Sequence, residues 1–154
     1  MIEIERLKPK HIDGVMKIKL EPQQAKFSAT AEQFLADGSA TQHLFVITKQ
    51  EVVVGYFKLD IAYSSEQSFC PKEGIGLRGF AIDPSQQGKG LGTQASKLIP
   101  GYVKRYYPEF NKIYLSVNCK NPVAKKCYLN SGFKESGIQV DGPVGPQDIM
   151  VAEV

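Results

Sequence analysis

Alternating glycines near the middle of the chain give the strongest chemical signal in the sequence. Residues 87–92 read QGKGLG, with a glycine at every second position from Gly88 to Gly92, and an apolar helical pattern begins at Leu91. A ligand can approach bare backbone at glycines, and the first amide N–H groups of a helix have no partner within it. We therefore expect this loop to bind an anion such as a pyrophosphate.

Two common nucleotide-binding motifs do not fit the loop. The dinucleotide fingerprint G-x-G-x-x-G, begun at Gly88, requires a glycine at position 93, where the chain has Thr93. The phosphate loop of many ATPases requires Gly-Lys followed by Ser or Thr, whereas Lys89 is followed by Gly90. Both of these assignments are therefore excluded.

The loop instead matches the pattern Q-x-x-G-x-G, with Gln87, Gly90 and Gly92 at its fixed positions. The preceding run Phe80-Ala81-Ile82 is typical of a buried strand, and Asp83-Pro84 ends it because proline has no N–H to donate. The order of strand, break, loop and helix favours a ligand site. The alternative is a glycine-rich turn without a ligand.

A second pattern lies further along the chain. Asn121, Ala124 and Tyr128 fit N-x-x-A-x-x-x-Y, and Gly132-Phe133 follows. Asn121 and Tyr128 are two helical turns apart, so both side chains lie on one helix face, about 10 Å apart, and can line one groove. Each residue also has a structural alternative, a helix cap for Asn121 and a core aromatic for Tyr128.

Together the two patterns resemble those of the GNAT superfamily of acetyl-CoA dependent N-acetyltransferases, over residues 77–138. The resemblance implies one N-acetyltransferase domain over residues 1–154 that moves an acetyl group from acetyl-CoA directly to a primary amine, with no metal. It gives Tyr128 the role of general acid for the departing thiolate. It assigns acetyl-CoA binding to a strand, a loop and a helix cap: Phe80, Ala81, Ile82, Gln87, Gly88, Lys89, Gly90, Leu91, Gly92, Thr93 and Asn121.

The general base is not evident from the sequence. An alkyl amine with a pKa of about 10.4 is mostly protonated at neutral pH, so it must lose a proton before it attacks. Glu73, at the start of the predicted central strand, is our first hypothesis for the base, and Glu21, Asp60 and Glu66 are others. Each of them could instead be a solvated surface charge.

The acceptor amine is left open between two classes of small molecule. The central segment and the C-terminal half are similar to bacterial polyamine acetyltransferases, some of which have an acidic residue where this chain has Arg78. A guanidinium would repel a polyamine, so an amine that carries a carboxylate, such as an amino acid, is the second class. Two further hypotheses are a non-catalytic acetyl-CoA-binding module and a peptide or protein N-terminal acetyltransferase.

Composition limits the class of protein. The 154 residues fit one domain, and 19 basic against 16 acidic residues give a net charge of +3, too small and dispersed to predict nucleic-acid or membrane partners. Three cysteines without ligand spacing predict neither a disulfide framework nor a metal site. We expect a cytoplasmic protein, and leave a homodimer open.

The remaining pattern predicts an α/β (α+β) fold of GNAT type, with a mixed, mostly antiparallel central sheet flanked by helices. The segment 21–29 is interpreted as a loop over a substrate groove. Pro100-Gly101 should kink or split the helix in which it lies. Strands are predicted at residues 2–7, 44–48, 52–61, 74–82, 112–117, 133–138 and 147–154, and helices at 11–20, 30–36, 90–106 and 121–131.

Overall fold

The computed structural model describes residues 1–154 and contains seven strands and six α-helices. The strands are β1 (Ile2–Arg6), β2 (Gln42–Lys49), β3 (Val52–Asp60), β4 (Gly74–Ile82), β5 (Lys112–Asn118), β6 (Lys134–Gly142) and β7 (Gly145–Glu153). The helices are α1 (Ile12–Met16), α2 (Pro22–Ala25), α3 (Ala31–Ala36), α4 (Tyr63–Glu66), α5 (Leu91–Tyr106) and α6 (Pro122–Asn130). No helix is both long and apolar enough to cross a membrane.

The strands form one sheet in the order β1-β2-β3-β4-β5-β7-β6. Every neighbouring pair is antiparallel except β4 and β5, whose parallel pairing needs a crossover, which α5 provides. The prediction of a mixed, mostly antiparallel sheet is therefore confirmed. The parallel pair is short, because it runs only from Gly74 opposite Lys112 to Gly76 opposite Tyr114.

Two hydrophobic clusters cover the two faces of the sheet. Alternate side chains of a strand point to opposite faces, so Phe45 belongs to the larger cluster and its neighbour Val46 to the smaller one. The larger cluster includes Ile99 of α5 and Tyr128 of α6, whereas the smaller one includes Phe34 of α3. Helices therefore flank the sheet on both sides.

Local signals in the sequence correctly predict several helix ends. The helix predicted from residue 30 begins with a capping box, in which Gln33 N donates to Thr30 Oγ1 at 3.3 Å and Thr30 N donates to Gln33 Oε1 at 2.9 Å. The predicted start of α6 at Asn121 and its stop at Gly132, which has a φ of +98°, are also confirmed. The helix predicted over residues 11–20 is shorter, since α1 ends at Met16.

Pro100 does not split α5, which is continuous from Leu91 to Tyr106, so the prediction of a split is wrong. The proline removes one backbone hydrogen bond, at a cost of about 3 kcal/mol in a helix interior. Ile99 and Val103 lie on the buried face of the helix and are completely inaccessible to solvent. We attribute the continuity of the helix to this packing, which holds both sides of the proline against the sheet.

Gly55 allows β3 to approach β4 closely. A Cβ atom at this position would lie 2.5 Å from the carbonyl oxygen of Ala81. Because a backbone oxygen cannot move aside as a flexible side chain can, we expect Gly55→Ala to lower the free energy of unfolding by about 1–3 kcal/mol. Urea denaturation measures this change.

The matched control is Gly101→Ala. Gly101 lies inside α5 and is exposed, and a Cβ atom added to it would have no neighbouring atom within 4 Å. Alanine there should leave the free energy of unfolding unchanged or raise it by up to about 1 kcal/mol. Equal stability of the two variants would contradict the close approach at Gly55.

Candidate active site

A cleft of about 1310 Å³ opens where β4 and β5 stop pairing. Beyond Gly76 and Tyr114 the two strands no longer pair, and the ends of both strands line the gap. A parallel pair that separates leaves backbone N–H and C=O groups without partners, which is stable only where water, side chains or a ligand reach them. The gap is therefore suited to bind an extended polar molecule.

A β-bulge shifts the register of β4 against β3 before the strand ends. Phe57 of β3 opposes both Gly79 and Phe80, and Gly79 has a φ of +63°, a conformation that favours glycine. Beyond the bulge, Asp83 N donates to Val54 O of β3 at 2.8 Å. The N–H and C=O of a trans peptide point in opposite directions, so the Ile82 carbonyl faces the cleft.

Side chains from segment 21–29 reach the same strand end. Ser28 Oγ donates to the Phe80 carbonyl at 3.2 Å, and Gln24 Nε2 donates to the Ile82 carbonyl at 3.1 Å. The Ile82 carbonyl also accepts from Gln87 Nε2 at 3.0 Å. Phe27 of the segment lines the cleft as well. The segment therefore borders a cleft, as predicted, although residues Pro22–Ala25 form the short helix α2 instead of a loop.

The glycine loop presents six consecutive free amide groups. The first backbone bond of α5 runs from Gln94 N to Gly90 O at 3.0 Å, and no N–H from residue 88 to residue 93 donates to an acceptor in the protein. Gly88 and Gly90 have φ values of +79° and +75°. All of these residues except Lys89 line the cleft. Free N–H groups at the positive end of a helix dipole are a site for anions.

Two lysines beside α6 add positive charge to the cleft. Lys120 and Lys126 are exposed and line it, whereas the Lys89 ammonium bonds to Gln86 Oε1 at 3.2 Å and lies outside the lining. Lys89 was predicted from its place in the loop, and the other two lysines were missed. Their signal was their position beside and within the helix predicted to begin at Asn121: Lys120 directly precedes the cap, and Lys126 lies in α6.

The two residues of the second pattern both lie in the cleft lining. Asn121 Oδ1 accepts from Ala124 N at 3.4 Å, so Asn121 is the helix cap and also borders the cleft. The rings of Phe80 and Phe133 lie edge-on to Tyr128, with centroids 5.9 and 5.6 Å away. The capping role of Asn121 and the core position of Tyr128 are thus confirmed, and they do not remove either residue from the cleft.

The Tyr128 hydroxyl is free although its ring is buried. Only 8% of the residue is exposed, and no protein atom is hydrogen-bonded to the hydroxyl. Burial raises the pKa of Tyr128 above its usual value of 10.0, and the neighbouring Cys127 thiol raises this pKa further. At neutral pH the phenol is therefore protonated and can donate one hydrogen bond into the cleft.

Glu73 does not lie with these residues. Its side chain is exposed and outside the cleft lining, and its carbonyl accepts from Asn111 N and Lys112 N. The paired residues Gly74–Gly76 lie between Glu73 and the opening of the two strands. The hypothesis that Glu73 is the general base has no geometric support. Neither Glu21, Asp60 nor Glu66 lines the cleft.

The closed end of the cleft holds Arg78 between two carboxylates. Its Nη1 atom lies 3.0 Å from Asp60 Oδ2 and 3.8 Å from Glu66 Oε2. The Asp60 side chain is fully buried, whereas 35% of the Arg78 side chain is exposed in the cleft. Arg78, a free charge as far as the sequence shows, is therefore paired in the structure. Tyr63, which also lines this end, is accommodated by the absence of a side chain at Gly76.

No histidine lines the cleft. His11 bonds to Glu5 and His43 to Tyr107, each at 2.6 Å, so both have structural partners elsewhere. Cys127 borders the cleft without a histidine to activate it, and Thr93 Oγ1 is 3.7 Å from its sulfur. An acyl-cysteine route therefore has no geometric support.

Comparison with known proteins agrees with this architecture. Residues 12–133 match the model of the acetyltransferase (GNAT) family. A Bacillus subtilis (strain 168) protein, named as the uncharacterized N-acetyltransferase YbbJ, is 28% identical over 152 residues, which cover 97% of this chain and 95% of that protein.

Solved structures share the fold at low sequence identity. The structure of AAC(6')-Ib in complex with paromomycin and acetyl-CoA superposes with a TM-score of 0.79 at 20% identity, covering 99% of this chain and 93% of that one. The spermidine N-acetyltransferase from Vibrio cholerae, in complex with CoA and spermine, has a TM-score of 0.73 at 18% identity, covering 99% and 95%. At these identities the likeness establishes the fold alone.

Proposed function

The chain belongs to the GNAT family of acetyltransferases, and from this premise we propose that it transfers an acetyl group from acetyl-CoA directly to a primary amine of a small molecule. One observation carries the proposal: the six free N–H groups of residues 88–93 and the free Tyr128 hydroxyl border the same cleft. The first can bind a diphosphate, and the second can reach the sulfur of a thioester that extends from it.

The cleft offers a place for each part of acetyl-CoA. The diphosphate would accept hydrogen bonds from the N–H groups of residues 88–93, with Lys120 and Lys126 adding attraction. The pantetheine arm would run along the end of β4, where the Phe80 carbonyl accepts one bond from Ser28 and has a second lone pair for a pantetheine amide. Asn121 borders the same path. Structures of neighbours that hold acetyl-CoA or CoA support this arrangement.

The reaction needs one bond made and one broken. The neutral amine nitrogen attacks the thioester carbon, a tetrahedral intermediate forms, and the C–S bond breaks to give the amide and the CoA thiolate. Tyr128 donates its hydrogen bond to the departing sulfur, and the proton lost by the nitrogen balances the thiolate charge. Because the cleft holds both reactants, catalysis depends on their alignment as well as on this proton donor.

Proton removal from the amine sets the pH dependence. Asp141, which is exposed, is the only carboxylate side chain in the lining, so we propose that the amine gives up its proton to solvent before it attacks. For an amine with a pKa of about 10.4 the neutral form costs about 4.6 kcal/mol at pH 7. The fraction of reactive amine therefore rises about tenfold for each unit of pH.

Binding and turnover together test the proposal. We expect acetyl-CoA to bind with a calorimetric signal that high salt weakens, and an amine panel to yield acetylated product detected by chromatography. Binding without product would support the non-catalytic module instead. Product from peptides but from no small amine would support the N-terminal acetyltransferase, and absence of binding would contradict every acetyl-CoA assignment.

Removal of the Tyr128 hydroxyl should slow the reaction without weakening cosubstrate binding. We expect Tyr128→Phe to lower kcat by about 100-fold, the usual contribution of a positioned proton donor, and to leave the Kd for acetyl-CoA within about twofold. Tyr106→Phe is the matched control, because Tyr106 is exposed on α5 and outside the cleft. Normal turnover in Tyr128→Phe would exclude this hydroxyl from the mechanism.

The raised pKa of Tyr128 predicts a one-sided pH profile. Since burial keeps the phenol protonated above pH 10, its ionisation removes no activity at lower pH. We expect log kcat/KM to rise by about one for each pH unit above pH 7 and to level off near the pKa of the acceptor amine. A decline between pH 8 and pH 10 that is absent in Tyr128→Phe would contradict this assignment.

A further inference from the structure

We infer that Arg78 recognises a carboxylate on the acceptor, which makes the acceptor an amine that carries a carboxylate, such as an amino acid. The inference rests on the proposed acetyl transfer and names the substrate class that the cleft accepts. It depends on three features of the closed end of the cleft: where Arg78 lies, what holds it in place, and which charges surround it.

Arg78 lies at the base of the opening between the two strands. Gly76 and Tyr114 are the last paired residues, and Arg78 and Ser116 each lie two positions further along their strands. Alternation along a strand places both on the face to which Gly76 and Tyr114 belong. Both residues line the cleft, so a molecule that enters it from the glycine loop meets Arg78 at the far end.

A buried carboxylate fixes the guanidinium. Asp60 Oδ2 accepts from Arg78 Nη1 at 3.0 Å, and Asp60 Oδ1 accepts from Ala62 N at 2.9 Å, so both carboxylate oxygens have partners. A guanidinium has five N–H donors, and this single hydrogen bond is the only one that Arg78 makes. The other donors remain available to a second carboxylate, which guanidinium groups bind in a two-pronged geometry.

The charges around the cleft favour a carboxylate over a polycation. Asp141 is the only acidic side chain in the lining, and with Lys120 and Lys126 assigned to the diphosphate, Lys26 and Arg78 are the cations left for an acceptor. Each further ammonium group of a polyamine would need a carboxylate partner, and the lining provides one. Glu66 is more than half exposed and 3.8 Å from Arg78, where solvent screens its attraction.

Aromatic side chains complete this end of the cleft. Phe27, Tyr63 and Phe69 line it together with Arg78. Aromatic rings bind apolar groups, so they suit the hydrocarbon body of an acceptor whose carboxylate is held by Arg78. The arrangement therefore fits a molecule with one amine, one carboxylate and an apolar part.

Matched pairs of acceptors test the inference on the unaltered protein. Each pair consists of an amino acid and the amine that lacks its carboxylate, such as phenylalanine with phenethylamine and lysine with cadaverine, and spermidine is a separate arm. We expect kcat/KM to be about 10- to 100-fold higher for the carboxylated member. Equal or better acetylation of the decarboxylated member, or of spermidine, would overturn the inference while leaving acetyl transfer established.

Substitutions of Arg78 identify the group that reads the carboxylate. Arg78→Met should remove the preference within each pair by raising KM for the carboxylated member, and Arg78→Lys should restore part of it because the charge remains. The Kd for acetyl-CoA should not change in either variant. Lys97→Met is the matched control, since Lys97 is exposed on α5 and outside the cleft.

Asp60→Asn tests the positioning role of the buried carboxylate. The amide keeps the size of the side chain and can still accept from Ala62 N, but it no longer attracts the guanidinium. We expect the preference within each pair to fall by about 10-fold, mainly through KM. An unchanged preference in Arg78→Met would overturn the inference, and thermal melting of each variant separates this result from a loss of folding.

Discussion

The short pairing of β4 and β5 is the constraint on which the site depends. Three residue pairs hold the strands together, and then each strand continues without the other. A buried backbone group without a hydrogen bond costs about 1–3 kcal/mol, so the strands cannot separate into a dry interior. The protein resolves this by opening the gap to solvent and by covering part of it with Ser28 and Gln24, whose side chains bond to β4 carbonyls.

The glycine loop also leaves backbone groups without partners, and here they are donors instead of acceptors. Six amide N–H groups are left without any partner in the chain, and no side chain caps the first turn of α5. By contrast, the side chains of Thr30 and Asn121 cap α3 and α6. The two kinds of backbone group, carbonyls at the end of β4 and amides at residues 88–93, thus meet in one cleft, and a molecule with acceptors at one end and amides along its length can satisfy both.

The accuracy of the sequence-based predictions follows the range of the interactions involved. The caps Thr30 and Asn121 and the positions of the strands along the chain depend on neighbours in the sequence, and the structure agrees with them. The position of Glu73 relative to the cleft and the continuity of the helix at Pro100 depend on tertiary packing. Glu73 precedes the nine-residue strand β4, at the end where that strand pairs with β5. Buried neighbours keep α5 continuous through Pro100. Neither effect is visible in a local sequence pattern.

Arg78 shows most clearly why a charge in a sequence does not define a binding preference. As an isolated guanidinium it would repel any cation, but Asp60 reduces its long-range field and leaves four directional donors in place. Selectivity then depends less on net repulsion than on pairing. A ligand carboxylate can use the free donors of Arg78, whereas the additional ammonium groups of a polyamine have only Asp141 in the lining to accept from them. What the cleft can recognise is therefore decided by the residue that pairs with Arg78 and by the N–H donors that this pairing leaves free.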